Sequence, residues 1–247
     1  MGITKSKWAH RSALLVGLAL ASAAPAQATS YVTIETTTYE WVEESVGNGS
    51  DHVAPANASA AIDSFGPFNV VDAGRVELVG SIESDTPRQF AALLRAYPSI
   101  RQIDMIECPG TGDDDANLKL ARMVRAAGIA THVPAGGSVR SGGVELFLAG
   151  AKRSADPKAE FAVHSWQDED GMQAGDYAMS DPVHQGYLSF YREMGMSDSE
   201  ARAFYGMTNS VGFDDAKWLT AQVMRGWIGL EKETLVSVAV AETAPET

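Results

Sequence analysis

The sequence predicts an α/β fold in which short parallel strands alternate with crossover helices between Arg75 and His164, followed by a mostly helical C-terminal part. Three observations carry this. Apolar residues alternate with period two in short runs, helical periodicity fills the stretches between them, and glycine, proline or aspartate punctuates nearly every junction. Parallel strands need a crossover between them, and a helix is the usual one.

Residues 75–82 (RVELVGSI) read as the first strand of this series. Asp85 or Thr86 can cap the next helix, with Pro87 in its first turn and QFAALLRAY as its body. Residues 100–107 (IRQIDMIE) form a second strand ending at Cys108. The turn Pro109-Gly110-Thr111-Gly112 then opens a helix with Asp113, Asp114 and Asp115 at its positive end and Arg122 and Arg125 toward its close, where Gly128 terminates it. Residues 129–135 (IATHVPA) give a third strand, and 159–165 (AEFAVHS) another. Beyond His164, residues 181–195 and 197–207 are amphipathic helices, and Thr220 caps residues 220–227.

The N-terminus reads differently. Lys5, Lys7 and Arg11 precede an apolar run that closes on Ala26-Gln27-Ala28, the layout of a secretory signal peptide cleaved after Ala28. The run is short for a membrane span, so a stable membrane anchor is not expected and the bacterial periplasm is the expected location. Residues 29–73 read as an N-terminal arm: 33–44 suits edge strands, and 47–61 looks like linker. The domain assignment is residues 1–28 signal peptide, 29–73 arm or linker, 74–232 one main domain and 233–247 tail.

The chain of 247 residues carries a formal charge of −13, and three of its 19 basic residues but none of its 32 acidic ones lie in the leader. A mature surface this acidic repels nucleic acid and anionic lipid. Cys108 is the only cysteine, so no intramolecular disulfide is possible, and the histidines are too scattered to suggest a metal centre. The glycine turn at Pro109–Gly112 lacks a following GK[ST], and its three aspartates would repel phosphate, which argues against nucleotide binding. No cofactor is expected.

The chemistry is expected at Ser141. It sits in the glycine-rich break 133–143 (VPAGGSVRSGG), directly before the apolar helix 144–151, where unpaired N–H groups and the helix dipole can stabilise an oxyanion. The nucleophile-elbow spacing G-x-S-x-G fails, because Val139 stands two residues before Ser141, so an ordinary α/β-hydrolase is disfavoured. His164, at the end of a strand, is the natural base, and the Gly142 amide the preferred oxyanion donor. Asp214 and Asp215, ahead of WLTAQVMRGWI, could fold back toward His164 as the acid; the alternative is ordinary helix-start charge.

The turn PGTG before a helix, the segment VPAGGSVRSGGVELFLAGAKR, AVHSW after a strand and FDDAKWLTAQVMRGWIGL together resemble the ClpP-like serine peptidases of the ClpP/crotonase superfamily, over roughly residues 75–232 and closest to its exported bacterial branch. The resemblance implies a spiral of repeated β-α units. It implies Ser141 as nucleophile, His164 as general base, and oxyanion donors from the Gly142 amide and from Gly112 or Gly110 of the turn. It also implies a peptide or other acyl substrate and a homo-oligomer, for which the aromatic segment from Tyr187 to Tyr205 could offer a contact face. Ala216 stands where the peptidase pattern places the acid, so Asp215 or Asp214 must substitute. The competing reading is a catalytically inactive envelope binding or assembly module on the same fold.

Overall fold

The computed structural model describes residues 58–228. The signal peptide, the arm up to residue 57 and the tail 233–247 lie outside the described residues. Nine strands form one mixed sheet, in the order β1-β2-β3-β4-β6-β8-β9, with β5 on β4 and β7 on β5.

Two short strands, β1 (Asp63–Phe65) and β2 (Phe68–Val70), form an antiparallel hairpin, and β2 pairs with β3 (Arg75–Val79). This hairpin lies within the stretch assigned above to the arm. Its two-residue turn has Gly66 at φ 60°, a left-handed position that glycine occupies without strain, and Phe68 and Val70 are fully buried against the sheet. Helix α1 (Thr86–Ala96) follows, with Pro87 in its first turn and Phe90 and Leu93 in the core.

The central strand β4 (Gln102–Cys108) sets the architecture, because its two ends have different partners. Its first half pairs in parallel with β5 (Ala130–Val133), and its last residues pair in parallel with β6 (Ser138–Arg140). From there the chain continues as two branches: β5 to β7 (Arg153–Ala155) and β6 to β8 (Glu160–Val163). With α2 (Asp114–Ala126) and α3 (Gly143–Leu148) as crossovers, the result is a mixed α/β spiral of β-α units. Asp113 caps α2 by accepting the Ala116 N–H at 2.9 Å. Every residue of α3 is buried, which explains a sequence apolar on all sides rather than amphipathic.

Two further strands depart from the sequence expectations. The glycine-rich break contains the strand β6, too short for its alternation to register. Lys217–Thr220 is a ninth strand, β9, antiparallel to β8, and only then does α6 (Ala221–Ile228) begin. The helices α4 (Gln185–Glu193) and α5 (Asp198–Thr208) close the domain, α5 with a reciprocal Ser197/Glu200 capping box. Leu188, Phe190, Tyr191, Phe204 and Tyr205 are buried, so this aromatic segment fills the core and lines a cleft instead of forming an exposed contact face. Among the described residues no helix is long and apolar enough to cross a membrane.

Candidate active site

Ser141 and His164 come from neighbouring strands. Arg140 of β6 is registered with Ala162 of β8, the Ser141 N–H donates to the Ala162 carbonyl at 2.9 Å, and His164 follows β8 directly. Both residues line one cleft of about 320 Å³, together with Thr111, Gly112 and Gly142 on one side and Trp166, Tyr187 and Phe213 on another. No direct hydrogen bond joins their side chains among the described residues.

Ser141 has φ 48° and is the one non-glycine residue with positive φ among those described. Such a conformation costs a non-glycine residue on the order of 1–3 kcal/mol and persists where the surroundings over-determine it, often at functional sites. Here the surroundings are visible. The Ser141 amide is tied to β8, the Val144 N–H donates back to the Ser141 carbonyl at 2.9 Å, and Asn117 of α2 donates to the Gly142 carbonyl at 2.7 Å. This is a strained strand-to-helix turn like a nucleophile elbow, built without that motif's glycine two residues before the serine.

Close packing explains the glycines around it. A Cβ on Gly142 would lie 2.5 Å from Thr111 Cγ2 and 2.9 Å from Asn117 Nδ2, and one on Gly143 2.7 Å from Cys108 Sγ. Gly110 has φ 132°, and a Cβ there would lie 2.9 Å from Ser141 Cβ. The turn after β4 is thereby pressed against the turn that holds the serine.

That packing also reassigns an oxyanion donor. Ile82 and Thr111 form a parallel bridge in which the Ile82 N–H donates to the Gly110 carbonyl and the Gly112 N–H to the Ile82 carbonyl, each at 3.0 Å. Of the two turn amides expected from the sequence, Gly112 is therefore committed to the Ile82 carbonyl. Successive amides of an extended segment face opposite ways, and among the described residues the Thr111 N–H between them has no acceptor, nor has the Gly142 N–H. Thr111 and Gly142 both line the cleft.

The His164 Nδ1 lies 2.8 Å from the Ser165 carbonyl oxygen. A carbonyl only accepts, so Nδ1 carries the hydrogen and Nε2 keeps its lone pair, the tautomer a general base needs. The Phe213 ring packs edge-on against the imidazole, with centroids 5.2 Å apart. Asp214 and Asp215 are exposed, and neither is a hydrogen-bond partner of His164. They stand just before β9, whose Lys217 pairs with Val163, and of this segment it is the Phe213 ring that meets the imidazole.

Sequence reasoning missed the acidic and aromatic wall of the cleft. Glu145 on α3 is buried, and burial pushes its carboxyl up to about 7 against the opposing hydrogen bond from the Tyr191 hydroxyl at 2.6 Å. Asp114, which also lines the cleft, is held above the usual carboxylate range by desolvation, against a hydrogen bond from Tyr187 that lowers it. An acid at position three of an otherwise apolar six-residue helix was the available signal for Glu145. Cys108 is fully buried with its thiol pushed up to about 12, which removes it as a nucleophile.

No family model and no curated protein sequence matches the chain. Among solved structures it is similar to a mutant of ClpP1 from Listeria monocytogenes, at 17% identity and TM-score 0.44, over 63% of this chain and 88% of that one. It is also similar to two mutants of the membrane-bound stomatin-specific protease 1510-N. One, at 16% identity and TM-score 0.42, is matched over 62% of this chain and 74% of its own; the other, in complex with a substrate peptide, at 17% and 0.42 over 62% and 70%.

Proposed function

We propose that the chain is an exported serine hydrolase that cleaves peptide or other acyl substrates through an acyl-enzyme on Ser141. The observation that carries this reading is the conjunction, in one cleft, of a serine held at φ 48° and a histidine whose Nδ1 hydrogen is committed to a backbone carbonyl. Export is supported by the leader pattern of residues 1–28.

In the first step His164 Nε2 takes the Ser141 hydroxyl proton as Oγ attacks the substrate carbonyl. The two side chains close to hydrogen-bonding reach as substrate fills the cleft, since catalytic hydrogen bonds are often loose in the free enzyme. The carbonyl oxygen becomes an oxyanion facing the Gly142 and Thr111 N–H groups, which are already in place and need no reorganisation. Collapse of the tetrahedral intermediate breaks the C–N or C–O bond, and the leaving amine or alcohol takes the proton from His164 Nε2. Water, deprotonated by the same nitrogen, then attacks the Ser141 ester, releases the acid and restores the serine.

A second reading is favoured by one observation: the partner of His164 Nδ1 is a neutral carbonyl, which stabilises an imidazolium less than a carboxylate would. On that reading the fold is an envelope binding or assembly module. Mixing the folded chain with p-nitrophenyl acetate separates the two. A hydrolase gives a stoichiometric burst of p-nitrophenol that Ser141→Ala abolishes, whereas a binding module gives no burst.

A further inference from the structure

We propose that Tyr205 is a positioning residue for the catalytic base, acting through Trp166 to hold the Ser165 carbonyl in the place that a carboxylate takes in a triad; this rests on the hydrolase reading above. The Ser165 carbonyl orients His164 only if the Ser165–Trp166 peptide is itself immobile.

Three contacts hold the groups that flank that peptide. The Ser165 N–H donates to the Val211 carbonyl at 3.0 Å, the Ser165 hydroxyl donates to the Trp166 carbonyl at 3.1 Å, and the Ala174 N–H donates to that hydroxyl at 3.2 Å. The fourth contact reaches away from it. The Trp166 indole N–H donates to the Tyr205 hydroxyl at 2.8 Å, the Tyr205 oxygen lies 2.7 Å from His184 Nδ1, and His184 Nε2 lies 3.0 Å from the Ala178 carbonyl.

Every direction in this chain is determined. Ala178 offers only an acceptor, so His184 Nε2 carries the hydrogen and Nδ1 is bare. Tyr205 therefore donates to His184 Nδ1 and accepts from Trp166, whose indole can do nothing but donate. His184 is fully buried and Tyr205 is 2% exposed, so no water substitutes for a lost partner without rearrangement. The chain ties both ends of the segment 165–184 to one residue of α5: its start through Trp166 and its end through His184. Trp166 lines the cleft two residues from His164, and its backbone N–H belongs to the Ser165–Trp166 peptide, so a displacement of the whole residue shifts the Ser165 carbonyl.

Removing the Tyr205 hydroxyl leaves the Trp166 N–H and His184 Nδ1 unpaired together. Either group finds a new partner only by moving, and movement of Trp166 releases the Ser165 carbonyl. His164 then loses its fixed tautomer, so part of the population presents Nε2–H to Ser141 and cannot accept its proton.

The test compares the full-length chain with Tyr205→Phe, Trp166→Phe and both together, using fluorophosphonate labelling of Ser141 and nitrogen-15 NMR of the His164 ring. The expected result for Tyr205→Phe is a fall in the maximal labelling rate of about tenfold or more, a change in half-saturating probe concentration within about twofold, and a His164 signal shifted toward the Nε2–H tautomer. The double variant loses no more than the larger single loss, because both act through one chain. Tyr177→Phe, whose hydroxyl bonds Asp168 on the same segment, leaves the His164 tautomer unchanged. Trp166→Phe, at the half-buried end of the chain, repeats the test from the other partner and must move the tautomer the same way. A folded Tyr205→Phe with wild-type labelling and wild-type tautomer overturns the proposal. A wild-type chain that takes no label overturns the hydrolase reading instead, and the tautomer comparison still decides the role of Tyr205.

Discussion

The Ser165 carbonyl oxygen accepts the hydrogen of His164 Nδ1 at 2.8 Å, so the imidazole is oriented by the carbonyl of the next residue in the chain. A single residue boundary thus does what a distant acid does in a Ser-His-Asp arrangement, apart from supplying negative charge.

The exposed acids Asp214 and Asp215 have no part in that arrangement. Asp214→Asn and Asp215→Asn, singly or together, are expected to change ester hydrolysis by less than about twofold, while His164→Ala abolishes all but a residue about 10³-fold lower. Steady-state kinetics on p-nitrophenyl esters distinguishes these outcomes.

The contact between the Gly110 turn and Ser141 leaves no room for a side chain. Gly142→Ala puts a methyl 2.5 Å from Thr111 Cγ2, and Gly110→Ala puts one 2.9 Å from Ser141 Cβ at a φ of 132° that alanine resists. Under the proposed mechanism each substitution displaces an amide assigned to the oxyanion, so kcat should fall on the order of 10²-fold with KM less affected. Gly110→Ala also lowers the urea midpoint, because the strain adds to the clash.

Much of this was readable from the residues alone. The strand-helix alternation from Arg75 to His164 was plain because each run is long enough to show its period, and Ser141 stood out by its position between glycines and an apolar helix. The details that decide the chemistry were less legible. The spare Thr111 amide depends on a bridge between Ile82 and Thr111, a long-range pairing with no local signal. The His164 partner is a backbone carbonyl, which every residue possesses and no sequence advertises. β9 was hidden because Lys217–Thr220 becomes a strand only by pairing with β8, and Glu145 reads as a surface acid until α3 is seen to be buried all round.

Glu145 makes stability depend on pH in a definite direction. Its carboxyl titrates near 4.5 in the unfolded chain and near 7 when folded, so between these values the folded state holds the extra proton. Its contribution is fully present below about pH 4.5, declines as pH rises through the window, and is lost above about pH 7, by about 3 kcal/mol at most. Urea unfolding across this range should therefore show wild type losing stability relative to Glu145→Gln as pH increases, and a constant difference contradicts the assignment.

Cys108 should be chemically silent in the folded protein. Its thiol is fully buried, and that desolvation pushes it up to about 12, so a thiolate-specific reagent at pH 8 reacts only through unfolding. Labelling with a disulfide reagent at increasing urea checks this, and prompt reaction in native buffer contradicts it.

The central claim is that Ser141 is an activated nucleophile, and mass-spectrometric mapping of a fluorophosphonate adduct on the folded chain at neutral pH tests it most directly. The account predicts one adduct, on Ser141, absent from heat-denatured protein and abolished by Ser141→Ala and by His164→Ala. A folded chain that remains unlabelled, or that carries the adduct on another residue, contradicts it.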